Sequence, residues 1–245
     1  MLKLIKYELK GLYKDIIIMT VSIIIINLLM YTRFNSWGGG PIIACSSLVS
    51  FAAMIVVFIW NIKLFSKDIY QDSSYLLFSI PQKGYTILTS KLLTALLQSI
   101  FIGLLSLVFN YLTFYLASKT EATQLLEMIH LININGSLFT IFAAAFQYIY
   151  LFTLIYFCIS FSKMAVRNKK LGKLGSFILF IIISVILAKC LEIIMFIFPQ
   201  NFSIPLMASA GINIPVNISS IVFDIITFIL FFITTSYILE NKIDL

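Results

Sequence analysis

The sequence predicts an all-α integral membrane protein. Six transmembrane helices are expected, with an amphipathic N-terminal helix, a short cytoplasmic helix after the second span, and a re-entrant element between spans five and six. Three observations carry this. Hydrophobic residues make up 61% of the 245 and charged residues only 11%, where a soluble domain is about a quarter charged. Charge-free apolar runs recur at the length of roughly 20 residues that a helix rising 1.5 Å per residue needs to cross a bilayer. The basic residues concentrate in alternate gaps between those runs.

Charged residues bound each run. Residues 16–32 lie between Asp15 and Arg33, and no charge occurs in 34–62, 92–118 or 131–162. A fifth run begins at Leu174 and a sixth ends at Leu239. The expected spans are about 16–33, 42–63, 92–117, 138–162, 175–198 and 219–239, forming a single transmembrane domain over 1–245 with no room for a separate soluble domain.

Six spans put both termini on one side. Of the 17 Lys and Arg, fourteen fall in the N-terminal segment, the loops 63–91 and 163–173, and the tail. Only Arg33 and Lys119 lie in the opposite gaps, and Lys189 is inside a span. Positive residues mark the cytoplasmic side, so both termini are expected there. The net charge of +7 then serves topology and contact with anionic lipid headgroups rather than nucleic acid. The abundance of Ile, Lys and Asn is associated with AT-rich bacterial genomes, which places the expected location in a bacterial cytoplasmic membrane.

The opening segment "MLKLIKYELKGLYKD" has lysines spread along it and no small-residue cleavage site after an apolar run, so it is expected to be retained. Leu2, Ile5, Leu9, Leu12 and Tyr13 cluster on one helical face and Lys3, Lys6, Lys10 and Lys14 on the other. That arrangement suits a helix lying on the inner leaflet, although an ordinary positive flank that orients the first span is the plainer alternative.

The loop 63–91 is longer than a helical hairpin needs. It carries Phe65, Ile69, Tyr70, Tyr75, Leu76, Leu77, Phe78 and Ile80, an apolar content that water would not leave fully exposed. Asp68 and Asp72 are spaced i, i+4. Pro81 would end the helix by removing a donor and restricting the residue before it. Lys83, Gly84 and Lys91 lead back to apolar sequence. The expectation is a short cytoplasmic helix and turn with a protein-facing surface.

On the opposite side, residues 33–41 form a glycine-rich turn, and 119–136 is a polar loop holding Glu121, Glu127 and the only histidine, His130, a set more typical of solvated surface than of a metal site. Residues 199–220 are uncharged, contain three of the five prolines and stay apolar. A re-entrant segment lining a protein-walled cavity has that character, since irregular backbone at membrane depth is tolerated only against protein or a wet cavity.

Three charges fall inside spans: Lys189 near the middle of the fifth, Glu192 three residues on, and Asp224 near the outer end of the sixth. A charge at a helix centre costs about 2.5–3.5 kcal/mol on insertion, so partners are expected. Lys189 and Glu192 share a face at i, i+3, and Asp224 could approach from the next span. Two readings stay open: a fixed ion pair holding spans five and six together, or a polar wall of a transport pathway.

Much chemistry lacks its residues. No GxxxxGK[ST] phosphate loop occurs; the pair Gly172–Lys173 has Arg167 where the motif requires glycine. HExxH and Gly-x-Ser-x-Gly are absent as well. Cys45, Cys158 and Cys190 lie in apolar runs without CxxC spacing, which supports neither a disulfide framework nor a zinc site. The sequons at Asn135, Asn201 and Asn217 fall on the outer side but match a short pattern that recurs by chance.

The whole arrangement resembles the permease subunit of ABC-2 type ABC transporters, exporters related in fold to the ABCG family. The most local match is "KDIYQDSSYLLFSIPQKGYTILTSKLL": an acidic residue, Leu-rich sequence ending in a small residue and proline, a basic turn, and a return helix with lysine at its mouth. The resemblance implies that residues 68–83 form a coupling helix seated in a groove of a separate ATPase chain. Asp68 and Asp72 would lie on that helix, Tyr75, Leu76, Leu77 and Phe78 would supply the contact, Pro81 the stop and Lys83 a rim charge. It further implies a connecting helix at the N-terminus, a second permease chain, identical or related, and re-entrant helices that shape an outer gate. The chain itself would hold no cofactor, and the partner ATPase would bind ATP and Mg. Lys189, at mid-span, departs from the family's expected pattern.

Two function classes follow. One is an exporter subunit moving an amphipathic cargo such as an antimicrobial peptide, drug or lipid. The other is a membrane scaffold or sensor whose cytoplasmic loop docks a protein that is not an ATPase. A membrane enzyme ranks below both, since no nucleophile, metal set or acid pair is placed for it.

Overall fold

The computed structural model describes residues 2–70, 83–117, 133–165, 169–207 and 212–241. Their elements, in chain order, are α1 (Leu2–Thr32), α2 (Phe34–Trp37), α3 (Gly39–Tyr70), α4 (Gly84–Ala117), α5 (Ile134–Ala165), α6 (Lys169–Ile197), β1 (Asn201–Met207), β2 (Ile212–Asn217) and α7 (Ile218–Asn241). Six of the helices are long and apolar enough to cross a bilayer, and each expected span falls on one of them to within a residue.

The helices outrun the spans. α3 has 32 residues and α4 has 34, which at 1.5 Å per residue is roughly 50 Å, against a hydrocarbon core of roughly 30 Å. The loop expected over 63–91 is therefore helical at both ends: α3 carries Lys63, Lys67 and Asp68 through to Tyr70, and α4 begins at Gly84. Charge interrupts hydropathy without interrupting backbone hydrogen bonding, so charged residues mark where a membrane span ends but not where its helix does.

The N-terminal expectation changes for the same reason. No break separates an interfacial helix from the first span; α1 is one helix of 31 residues. Between Leu2 and Thr32 the sequence has no proline, and its single glycine, Gly11, costs only about 1 kcal/mol in a helix interior. Ile5 and Leu12, on the apolar face, are buried, while Lys6 and Lys10 are exposed.

The glycine-rich turn contains the one-turn helix α2, then Gly38 at φ +76°, a left-handed conformation that glycine adopts without penalty. Gly39 starts α3, and an added Cβ there would lie 2.9 Å from the Ala117 Cβ.

Within 199–220, β1 and β2 are paired strands, where the resemblance implies re-entrant helices. β1 and β2 pair antiparallel, with Asn201 opposite Asn217, Ser203 opposite Pro215 and Ile204 opposite Ile214, and an irregularity between Pro205 and Met207. A two-stranded ribbon leaves both edges unpaired, which hydrocarbon does not tolerate. Asn201, Phe202, Ser203, Pro205 and Pro215 are exposed. β-branched residues and prolines that restrict helix favour extended backbone here. The hairpin rests on the start of α5: an added Cβ on Gly136 would lie 2.3 Å from the Pro205 carbonyl oxygen, and Phe202 packs edge-to-face on Phe139.

The chain divides into two compact units. One comprises α1, α2, α3 through Asn61 and α4 from Leu93. Its core holds Ile23, Ala53, Val57 and Ile102. The other comprises α3 from Ile62, α4 through Leu92, α5, α6, the hairpin and α7. Its core holds Leu154, Cys158 and Phe231, with Phe157, Leu179 and Phe180 packed around them.

Candidate functional site

Four polar constellations stand out against the apolar background. The first brackets the segment that the resemblance assigns to ATPase contact. Asp72, Tyr75, Leu76, Leu77, Phe78 and Pro81 lie outside the described residues, but both of the segment's flanks are described. Asp68, in the last turn of α3, is ion-paired with Lys91, two turns into α4. The lysine side chain is 4% exposed and the aspartate 21%. Sequence reading placed Asp68 on a protein-facing helix and Lys91 at the mouth of the next span; the structure turns the two toward each other. Only their separation of 23 residues hid the pairing.

Aromatic and glycine contacts lock the same flanks onto α5, α6 and α7. Phe65 stacks on Tyr156 of α5, with centroids 3.9 Å apart and planes 16° from parallel. Tyr70 is buried; its hydroxyl donates to the Ile159 carbonyl at 3.5 Å. The Tyr70 ring lies so close to Gly172 that a Cβ there would sit 2.8 Å from it, and the Lys163 ammonium stands 5.6 Å from the ring centroid. Ser162 donates to the Gly172 carbonyl at 2.6 Å. At the other flank, the Gly84 amide donates to Glu240 Oε2 at 3.2 Å, and a Cβ on Gly84 would fall 2.2 Å from the Ser236 carbonyl oxygen of α7. Lys83 is exposed just before α4, its ammonium 6.0 Å from the Tyr85 ring centroid.

The second constellation joins α5 to α7. Gln147 Nε2 donates to Asp224 Oδ2 at 2.7 Å, and one turn further on both helices Thr227 Oγ1 and the Tyr150 hydroxyl share a hydrogen bond of 3.2 Å. The constant offset of 77 residues in both rungs reflects two helices running in the same direction. Asp224 thus finds its partner on span four rather than span five, because α7 packs chiefly against α5. Beside this pair lies a cleft of about 340 Å³, walled by Phe139, Phe142, Phe146, Ile221 and Ile225. Phe146 is held edge-on by Phe228, with centroids 5.6 Å apart.

The third is Lys189 with Glu192, bonded at 2.7 Å within α6, with side chains 71% and 67% exposed. The i, i+3 pairing expected from the sequence is present. It does not hold spans five and six together, since both partners belong to one helix and face away from the fold.

The fourth was missed in the sequence. In the unit containing α1, the Ser46 hydroxyl donates to Asn27 Oδ1 at 2.9 Å, Thr113 reaches Ser46 at 3.3 Å, and the Tyr31 hydroxyl bonds Thr113 at 2.9 Å. Asn110 donates to Ser50 at 2.7 Å. Gln98, 2% exposed, has neither side-chain polar atom bonded among the described residues. Asn27, the lone amide in "IIIINLL", was the available signal. Asn217, noted only as a sequon, caps α7: its Oδ1 accepts from the Ser219 and Ser220 amides at 2.9 and 3.2 Å.

Among the described residues no group of three or more His, Cys, Asp or Glu is arranged to hold a metal ion. No protein-family model, curated protein or solved structure matches this chain.

Proposed function

We propose that the chain is the membrane-spanning permease subunit of an ATP-driven exporter, of the ABC-2 type it resembles, powered by a separate ATPase chain. The observation that supports this best is the way the two flanks of residues 71–82 are fastened. A segment that received force from a partner would need to pass it on rather than flex. The Asp68–Lys91 ion pair ties the flanks to each other, and Phe65, Tyr70 and Gly84 tie them to α5, α6 and α7. Packed interiors transmit strain because they compress little.

In this reading, Tyr75, Leu76, Leu77 and Phe78 contact the ATPase, which binds ATP and Mg. This chain contributes no nucleotide chemistry. Closure of the ATPases displaces the flanks, and the unit built on α5, α6 and α7 moves with them. A second permease chain, identical or related, completes the transport path. α6 offers a face for it: none of its apolar window is buried, and it turns Lys189 and Glu192 outward. The location is a bacterial cytoplasmic membrane with both termini inside, and the cargo an amphipathic molecule.

The test is affinity purification of the tagged chain from its native membrane in mild detergent, with identification of what accompanies it. An ATPase at one copy per permease is the expected result, lost in a Leu77→Ala/Phe78→Ala double variant that still inserts. No ATPase, under conditions that preserve other membrane complexes, overturns the reading in favour of a scaffold or sensor.

A further inference from the structure

We infer that the cleft between α5 and α7 is a binding site for a cationic amphiphile, a single ammonium group attached to an apolar chain or ring, entering from the bilayer. The inference deepens the exporter reading by naming a ligand class, but rests on it only for the ligand's fate; binding is a property of this chain alone.

The walls set the ligand's body. Phe142, 74% exposed, and Ile225 stand at the opening, so the cleft is entered past apolar side chains on helices long and apolar enough to cross a bilayer. A freely hydrated amine would have no favourable route in, whereas an alkyl or aryl group would. The volume of about 340 Å³ is at the lower end of the range for small-molecule sites, which favours one chain or ring system over a two-chain lipid.

The floor sets the head. Asp224 presents a carboxylate whose Oδ2 takes the Gln147 amide, while Oδ1 accepts no hydrogen bond from the described residues. Among the described residues no lysine or arginine pairs with it, although the chain as a whole has a net charge of +7. α5 contains no acidic residue, and α7 has only Asp224 and Glu240. A carboxylate in an apolar cleft calls for a cationic or donor partner. An ammonium would donate to Oδ1 while the faces of nearby phenylalanine rings add cation–π attraction. An anionic or neutral amphiphile would meet the same walls without that partner. Gln147 holds the carboxylate in place from α5, and the Tyr150–Thr227 bond fixes the helices one turn away, so the site is formed before a ligand arrives.

The experiment uses the purified full chain in phosphatidylcholine nanodiscs and two photoactivatable probes of equal length, a diazirine-bearing decylammonium and the corresponding decanol. The expected result is labelling of peptides containing residues 139–147 and 221–225, about tenfold stronger for the ammonium, and displaced by unlabelled decylammonium. Asp224→Asn, which keeps an acceptor for the Gln147 amide, should bring the ammonium down to the level of the alcohol without changing alcohol labelling. Equal labelling of the wild-type chain by both probes would reduce the cleft to an acyl-chain slot and overturn the proposal, and it requires no variant to fold. Ammonium labelling confined to other helices, or retained in Asp224→Asn, would overturn it too. Each result is independent of whether an ATPase co-purifies.

Discussion

Lys91 and Asp68, 23 residues apart, are ion-paired across the two helix ends that flank residues 71–82. Two helices that leave and re-enter an apolar region are thereby joined at a fixed point.

Removing one member of that pair should cost more than removing both. Lys91→Met leaves a partly buried carboxylate without its cation. The loss should lie between the ~1 kcal/mol of an exposed pair and the ~3–5 kcal/mol of a fully buried one, since Asp68 keeps some exposure. Asp68→Leu/Lys91→Met should recover most of it, because apolar replacements of buried pairs are often neutral. Thermal unfolding of the single and double variants in one detergent checks the order. Equal loss in both would assign the stability to packing of the lysine stem.

Gly84 tests how tightly the start of α4 is held. A methyl group there would lie 2.2 Å from the Ser236 carbonyl oxygen, a backbone atom that cannot rotate away. Gly84→Ala should therefore lower the unfolding temperature and expose the Gly84 amide to hydrogen exchange. Gly103, on the same helix, has nothing within 4 Å of an added Cβ. Gly103→Ala should be neutral or stabilise by up to about 1 kcal/mol through helix propensity. If the two substitutions behave alike, the close approach of α4 to α7 is wrong.

Span number was legible because hydropathy over 20 residues is a strong signal that tertiary contacts do not alter. Helix ends were not, since Lys63, Lys67 and Lys91 interrupt hydropathy while leaving the backbone free to continue. The Lys189–Glu192 pair was legible because i, i+3 geometry is local. The partner of Asp224 was not, because Gln147 lies 77 residues away and nothing in composition indicates that span six packs on span four. The paired strands 201–207 and 212–217 were not legible in hydropathy, which registers the absence of charge there but not the extended backbone that prolines and β-branched residues favour. Backbone preference decided that segment.

Asn27 and Ser46 should show measurable coupling. Both are buried, and the serine hydroxyl donates to the amide oxygen across α1 and α3. Interhelical hydrogen bonds in membrane proteins average about 0.6 kcal/mol in double-mutant cycles, with a maximum near 1.7. Ser46 also contacts Thr113, which argues for the upper half of that range. A cycle of Asn27→Ala, Ser46→Ala and the double variant, followed by denaturant unfolding, gives the coupling directly. A value near zero would show that each side chain finds another partner when its first is lost.

Lys189 and Glu192 separate folding from assembly. Both side chains face out from α6, and the bond between them is intrahelical, of the kind worth about 0.2–0.5 kcal/mol on a helix surface. Meanwhile two charges at span depth carry insertion costs of about 2.5–3.5 kcal/mol each at a helix centre. Lys189→Met/Glu192→Gln should therefore leave monomer stability unchanged or raised. Lys189→Met alone should be worse than the double, because it leaves the carboxylate unpaired. If a second chain packs on α6, the double variant should also shift the population from dimer to monomer in single-molecule subunit counting, with thermal stability of the isolated chain preserved. An unchanged dimer fraction would show that this face meets lipid, and the second chain would have to be sought on another helix.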